Sequence, residues 1–174
     1  MPSMRNPILA VLPLLSVVVA ASFAVACSSA TNAPPGGCTT YVVPAGTDLT
    51  TPKVSFQNDV MPIFAASCGL STSCHGAESG PRIFLGSKTN MNGAAILAQT
   101  VGVPATELTA MSYITASDPT KSFLMHKMDG DMCTLNAQCV NGDCGLSMPQ
   151  NNDLLDVSRR DTVRRWIAQG APNN

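Results

Sequence analysis

The sequence predicts a small all-α domain of four to five short helices joined by long loops, and three observations support this class. Apolar residues recur at the helical spacing of three and four in several short windows. Residues that start and stop helices, namely Ser, Asp, Pro and Gly, stand at the ends of those windows. No segment of the sequence shows the convincing alternation of apolar and polar residues that is typical of a half-buried strand.

The first 26 residues have the pattern of a targeting segment, which is set aside before the fold is considered. Arg5 supplies a positive start, and an almost unbroken apolar run follows from 8 to 26. The run ends in Phe-Ala-Val-Ala before Cys27, which resembles the lipobox of bacterial lipoproteins. That resemblance implies cleavage before Cys27 and lipidation of its thiol, and Ser28 implies sorting to the outer membrane, facing the periplasm or the surface. An ordinary signal peptide cleaved near Ala26 and an uncleaved membrane anchor are the alternatives.

Residues 27–52 are rich in proline, glycine and small polar residues, a composition that predicts a flexible tether after the lipid anchor. The remaining residues, 53–174, are enough for one domain. The whole chain carries a formal net charge of −1. This near-neutral balance argues against a nucleic-acid partner, and the four clustered arginines of the last helix are interpreted as its solvated face, namely Arg159, Arg160, Arg164 and Arg165.

The first two predicted helices are short. Phe56, Val60, Ile63 and Phe64 have the spacing of an amphipathic helix, and Pro62 inside the run means that the helix starts late or bends there. Residues 93–97 predict a second helix, and residues 107–111 predict a weaker one.

Two later helices carry stronger end signals. Residues 117–119, Ser-Asp-Pro, predict a helix start, and Gly130 predicts its end. The last helix is predicted to begin at a capping box, with Ser158 and Asp161 as its two members. Its buried stripe is predicted to consist of Val163, Trp166 and Ile167, with Gly170 after its end.

The aromatic content of the domain is low, so a small core needs further support. Small exported domains obtain it from disulfides or from a cofactor. A cofactor is suggested by Cys68, Cys74 and His75, because Cys-x-x-Cys-His in an exported protein indicates covalent haem attachment. Here five residues separate the two cysteines instead of two, which requires a looped-out segment over 69–73. The alternative is a Cys68–Cys74 disulfide in a domain without haem.

The flanks of this motif strengthen the haem hypothesis. Residues 54–75, together with Asp118-Pro119, Gly145 to Met148-Pro149, and Asp161 to Pro172, resemble short cytochrome c-like domains of bacterial surface lipoproteins. The resemblance covers most of residues 54–172. It implies a cytochrome c-like fold with covalent haem c, His75 and Met148 as the axial iron ligands, and electron transfer to a redox partner protein.

The sequence also allows other iron ligands, several disulfide pairings and a zinc site. Met125, Met128 and Met132 are rivals of Met148, and His126 would give bis-His ligation. Four cysteines outside the haem motif allow three disulfide pairings, namely Cys38, Cys133, Cys139 and Cys144. A zinc site formed by cysteines of this set with His75 or His126 is an alternative that an oxidising envelope disfavours.

The sequence contains no arrangement typical of a hydrolase or a transferase, so an electron carrier is favoured over an enzyme. Two functional hypotheses follow. The first is a membrane-anchored carrier with a single haem. The second is a haem-free envelope lipoprotein, stapled by disulfides, with a binding or structural role.

Overall fold

The computed structural model describes residues 38–174, so the leader, the lipobox and Cys27 lie outside the described residues. Four α-helices run through it: α1 (Met61–Ser67), α2 (Gly93–Thr100), α3 (Phe123–Asp129) and α4 (Val157–Ala168). A π-helical turn, Phe56–Val60, leads into α1, and three 3₁₀ segments lie at Pro119–Lys121, Met132–Gln138 and Val140–Gly142. Residues 38–174 contain isolated β-bridges but no β-strand. The predicted all-α class is confirmed.

None of the helices in the described part of the chain has both the length and the apolar character that a bilayer crossing requires.

The start of the domain follows the sequence prediction closely. The Ser55 hydroxyl accepts a hydrogen bond from the Asn58 N–H at 3.1 Å and caps the first turn. Pro62 lies in the first turn of α1, where its missing N–H leaves no hydrogen bond unmade. The helix therefore starts late, one of the two outcomes predicted, and ends at Cys68, whose N–H donates to the Phe64 carbonyl at 2.7 Å.

The second predicted helix is confirmed as α2, with the Asn92 side chain accepting from the Ala95 N–H at 3.2 Å. The weaker prediction for residues 107–111 is wrong, because this segment forms a turn. Backbone bonds from Ala105 N to the Met111 carbonyl, at 2.8 Å, and from Tyr113 N to the Val103 carbonyl, also at 2.8 Å, close the segment into a loop. Its backbone groups pair across the loop instead of along a helix axis.

The start of α3 is more segmented than the sequence suggests. The Asp118 carboxylate accepts from the N–H groups of Thr120 and Lys121, so the predicted cap holds the short 3₁₀ turn. The α-helix itself begins at Phe123. It ends at Gly130, whose φ of 76° is the left-handed conformation that glycine adopts without strain.

The last helix begins earlier than predicted. Asp156 occupies the N-cap position of α4, so the capping box at Ser158 is wrong. The Asp161 carboxylate accepts instead from the Arg164 guanidinium, one turn further along the helix. The predicted apolar stripe is confirmed, since Val163, Trp166 and Ile167 are fully buried.

The main core lies between the π-helical turn, α1 and α4. The rings of Phe56 and Trp166 stack with centroids 4.9 Å apart, and Phe64 meets Trp166 edge-on at 6.5 Å. The indole N–H of Trp166 donates to the Pro172 carbonyl at 2.9 Å, so its polar end is satisfied. Because these rings are buried against α4, they fix the position of α1 and therefore of Cys68 at its end.

A buried ion-pair network joins α4 to the end of α3. The Asp129 carboxylate accepts from Arg160 at 2.6 Å and from Arg164 at 2.5 Å, and all three side chains are nearly inaccessible to solvent. The interpretation of the arginine cluster as a solvated face is therefore wrong for Arg160 and Arg164. Arg159 is exposed, in agreement with it.

Residues 38–52, which the composition suggests as part of a tether, contact the domain at several points. Cys38 forms a disulfide with Cys133. The Tyr41 ring lies 4.8 Å from the guanidinium of Arg160 and 5.0 Å from that of Arg164. The Tyr41 ring therefore packs against both buried guanidinium groups. A second disulfide closes a small loop between Cys139 and Cys144.

Candidate functional site

A cavity of about 300 Å³ lies between the end of α1, the segment after His75, and α3. Cys68, His75 and Met148 all contribute to its wall. Much of the remaining lining is apolar and comes from Ile83, Leu85, Phe123, Leu124 and Met128. Concave, mainly apolar cavities with a few polar groups are typical of cofactor sites.

A second cavity of about 420 Å³ adjoins the first, because Cys68, His75, Arg82 and Met148 border both. Cys74 lines this second cavity as well. The four residues that the sequence suggests for a haem site are therefore brought together around two adjoining cavities, although Cys68 and Met148 are separated by most of the domain in sequence.

The loop from Cys68 to Gly76 folds back on the end of α1. The Gly69 N–H donates to the Phe64 carbonyl at 2.9 Å, and the His75 N–H donates to the Cys68 carbonyl at 3.2 Å. A Cβ atom on Gly69 would lie 1.6 Å from the Gly86 carbonyl oxygen, so only glycine fits there. The five residues between Cys68 and Cys74 form a compact turn with Leu70 exposed, and this turn brings His75 back to Cys68.

The imidazole of His75 is oriented by a backbone carbonyl. Its Nδ1 lies 2.9 Å from the Ile83 carbonyl oxygen, and because a carbonyl only accepts, Nδ1–H donates. In the neutral ring the lone pair then resides on Nε2. Burial is the main cause that lowers the pKa of His75 below its usual value. A neutral imidazole with one nitrogen held by a carbonyl is the usual state of a metal-ligating histidine.

Cys68 is a free and buried thiol. Burial raises its pKa to about 12, so the group is a thiol and not a thiolate at neutral pH. The Cys68–Cys74 disulfide of the alternative interpretation is not formed. Cys74 is itself disulfide-bonded, so it is not available as a thiol in this state.

Met148 is held next to α3 by its backbone. Its N–H donates to the Lys127 carbonyl at 2.8 Å, and its side chain is partly buried. Of the three rival methionines, Met128 also lines the first cavity. Met125 and Met132 are buried in core clusters and contribute to neither cavity.

His126 is engaged away from both cavities. Its Nδ1 lies 2.7 Å from the Asp131 carboxylate, and its Nε2 lies 3.2 Å from the Thr120 carbonyl oxygen. The hydrogen bond to Asp131 is the main cause that raises the pKa of His126. Since both nitrogens face acceptors, this geometry disfavours bis-His ligation.

The zinc alternative has no support in the described residues. Cys133, Cys139 and Cys144 are all consumed by disulfides and cannot ligate a metal as thiolates. Residues 38–174 contain no group of three or more His, Cys, Asp or Glu side chains placed to hold a metal ion.

Lys127 is a residue of the site that the sequence analysis did not select. Its ammonium is buried, lies 5.2 Å from the centre of the Phe123 ring, and donates to the Cys144 and Leu146 carbonyls. Burial is the main cause that lowers its pKa. The signal in the sequence was a lysine inside an otherwise apolar helix face, between Leu124 and Met128.

Comparison with known proteins gives no match, whether to a family model, a curated protein or a solved structure. The cytochrome c-like fold and family therefore stay predictions that depend on the residues and on the geometry of this site.

Proposed function

We propose that this protein is a c-type cytochrome-like electron carrier with a single covalently attached haem. The observation that carries the proposal is the position of His75. Its imidazole is partly buried at the border of two adjoining cavities, its Nδ1–H is held by the Ile83 carbonyl, and Met148 lines the same cavities. The bound haem would supply the one-electron chemistry of its iron.

The residues present fit such a group. Nε2 of His75 carries the lone pair that an iron ligand needs, and a partly buried thioether is available from Met148. The apolar side chains of Leu85 and Phe123 would exclude water from the group. A haem iron takes four ligands from its porphyrin, so a cluster of three protein side chains is not required.

Cys74 sets a condition on attachment. A thioether at this position needs the thiol, whereas the structure has Cys74 in a disulfide. Attachment must therefore precede oxidation of Cys74, or act on the reduced chain. Cys68 already has the free thiol that the second thioether would use, in a buried place beside the cavity.

A haem stain after denaturing electrophoresis tests the proposal, because only covalently attached haem stays with the denatured chain. Protein produced with haem-attachment machinery should stain. A His75→Ala variant should lose the normal spectrum of the ferrous form, while His126→Ala, the matched control in the same chain, should keep it. A colourless wild-type protein would contradict the proposal.

Met148 would be the second protein ligand of the haem iron. A thioether raises the reduction potential relative to bis-His coordination. Met148→Ala should therefore lower the potential and remove the thioether–iron charge-transfer band of the oxidised protein. Met128→Ala, the control at the other cavity-lining methionine, should keep the band and reduce stability by about 2–5 kcal/mol through loss of packing. The reverse pattern would assign the iron ligand to Met128.

A haem-free lipoprotein stapled by disulfides is the second candidate, and the two disulfides within the described residues favour it. In this alternative the disulfides Cys38–Cys133 and Cys139–Cys144 support the thin core, and the protein has a binding or structural role in the envelope. Protein that is colourless even when produced with attachment machinery, with Cys74 oxidised, would support this alternative.

The lipid anchor belongs to both candidates. We infer from the lipobox-like sequence that Cys27 is lipidated and holds the protein to the outer membrane, where a carrier would meet an unidentified redox partner. Detergent partitioning tests this inference, since Cys27→Ala should move the processed protein to the aqueous phase. Retention of the processed variant in the detergent phase would refute the lipid anchor.

A further inference from the structure

We propose that Lys127 is a positioning residue, which fixes the loop carrying Met148 against α3. This inference deepens the proposed function and depends on it for its redox consequence. The geometric part concerns the chain alone and can be tested without haem.

The contacts of Lys127 form a clamp around residues 144–148. Its ammonium donates to the carbonyls of Cys144 and of Leu146, the latter at 3.2 Å, and its own carbonyl accepts from the Met148 N–H at 2.8 Å. One residue of α3 therefore makes three hydrogen bonds to alternate residues of the loop. These bonds fix the loop before and at the position of Met148.

The environment of the ammonium indicates that these bonds matter. The Lys127 residue is only 7% exposed, and a buried ammonium is costly unless its donors are satisfied. The nearest carboxylate oxygen, Glu107 Oε1, is 3.9 Å away, whereas the two carbonyls are in direct contact. The loop carbonyls, together with the Phe123 ring, are therefore the main partners of the charge.

On the loop side, Gly145 lies close to the Lys127 ammonium. Gly145 has a φ of 74°, and a Cβ atom there would lie 3.1 Å from the Lys127 ammonium nitrogen. The disulfide of Cys144 with Cys139 ties the start of the loop to the preceding 3₁₀ segment. The loop is thus held at one end by a covalent bond and along its length by Lys127.

Hydrogen–deuterium exchange of the full-length protein, purified without haem, tests the clamp. Lys127→Met removes the donors and keeps an unbranched apolar chain. Amide exchange across residues 144–148 should become at least about tenfold faster, since hydrogen bonds from a charged donor are lost. Exchange in α2 should be unchanged, as should exchange at 144–148 in Lys121→Met, the control at an exposed lysine. Unchanged exchange at 144–148 in Lys127→Met would overturn the inference.

A second variant covers the case in which Lys127→Met does not fold. Gly145→Ala disturbs the same contact from the loop side and leaves α3 intact. It should also accelerate exchange at 144–148, and protection equal to that of the wild type would overturn the inference.

The haem-loaded protein supplies a separate readout. Lys127→Met should shift the reduction potential in the direction of Met148→Ala and weaken the thioether–iron band. If the wild type binds no haem, the proposed function fails, and the exchange experiment alone decides the role of Lys127. If haem binds and the potential and band of Lys127→Met equal those of the wild type, the lysine does not position the ligand.

Discussion

Replacing Asp129 by alanine should strongly destabilise the fold, because this carboxylate neutralises two buried guanidinium groups. Arg160 and Arg164 donate to its two oxygens at 2.6 and 2.5 Å. Arg164 is only 2% exposed, so water cannot replace the lost carboxylate without a rearrangement of α4. Removing one partner of a buried ion pair typically costs about 3–5 kcal/mol.

The expected loss lies near the lower end of that range. Arg164 keeps its contact with Asp161, and the ring of Tyr41 still covers both guanidinium groups. We therefore expect a loss of about 3 kcal/mol, out of a total of about 5–15 kcal/mol for a typical domain. With an m-value of about 1–3 kcal/mol/M in urea, the unfolding midpoint should fall by about 1–3 M.

Urea unfolding of the haem-free protein with its disulfides intact measures this loss. Lys121→Ala is the matched control, because it removes an exposed ion pair with Asp118 in which the lysine side chain is 74% accessible. That change should cost at most about 1 kcal/mol. If Asp129→Ala were no more destabilising than Lys121→Ala, the buried network would not stabilise the fold as argued.

Three further changes follow from the same structure. The hydrogen bond to Asp131 raises the pKa of His126 above 6.5, so the stability that protonated His126 contributes is complete below pH 6.5 and is lost as the pH rises through the folded-state pKa. In urea unfolding, the difference in free energy of unfolding between the wild type and His126→Gln should therefore shrink with rising pH. A difference that stays constant with pH would refute this. Gly69→Ala should lower the free energy of unfolding by at least about 3 kcal/mol, because the new Cβ meets a backbone carbonyl. Gly80→Ala is the control in the same assay and should lower it by less than about 1 kcal/mol, since the atom nearest to its new Cβ is 3.7 Å away. Cys38→Ser removes a disulfide between cysteines 95 residues apart in the sequence. Because that disulfide restricts the unfolded chain, its loss should lower the free energy of unfolding by about 4–5 kcal/mol. A loss below about 1 kcal/mol would show that this loop-entropy argument fails for this disulfide.

The helices were predictable where local signals agree with packing. Apolar spacing and end residues located α1, α2 and α3, and the stripe of α4, because burial and capping act within a few residues. The prediction at 107–111 failed because backbone bonds from outside the segment, such as Ala105 N to the Met111 carbonyl, decide its conformation.

The burial of the arginines could not be derived from local pattern either. Arg160 and Arg164 have the spacing of an exposed helix face, but Asp129 lies more than thirty residues earlier in the chain and meets them only in the folded domain. The disulfide pairing also could not be derived from local sequence pattern. Four cysteines allow three pairings, and the choice of Cys38–Cys133 with Cys139–Cys144 depends on tertiary placement.

The residues that the sequence suggests for the candidate site lie close together, whereas the contacts that hold them could not be predicted from the sequence. His75 was selected from its motif and Met148 through the resemblance to cytochrome c-like domains, and both line the same cavities. The Ile83 carbonyl that orients His75, and the Lys127 clamp on the Met148 loop, are contacts between distant segments. No sequence motif encodes them.

Peptide mapping by mass spectrometry tests the central claim most directly. Protein produced with haem-attachment machinery is digested without reduction, and the peptide that contains Cys68, Cys74 and His75 is identified. The proposed function predicts that this peptide carries haem, bound through thioethers at both cysteines. A peptide that carries no haem at either cysteine would contradict the haem assignment and favour the haem-free lipoprotein.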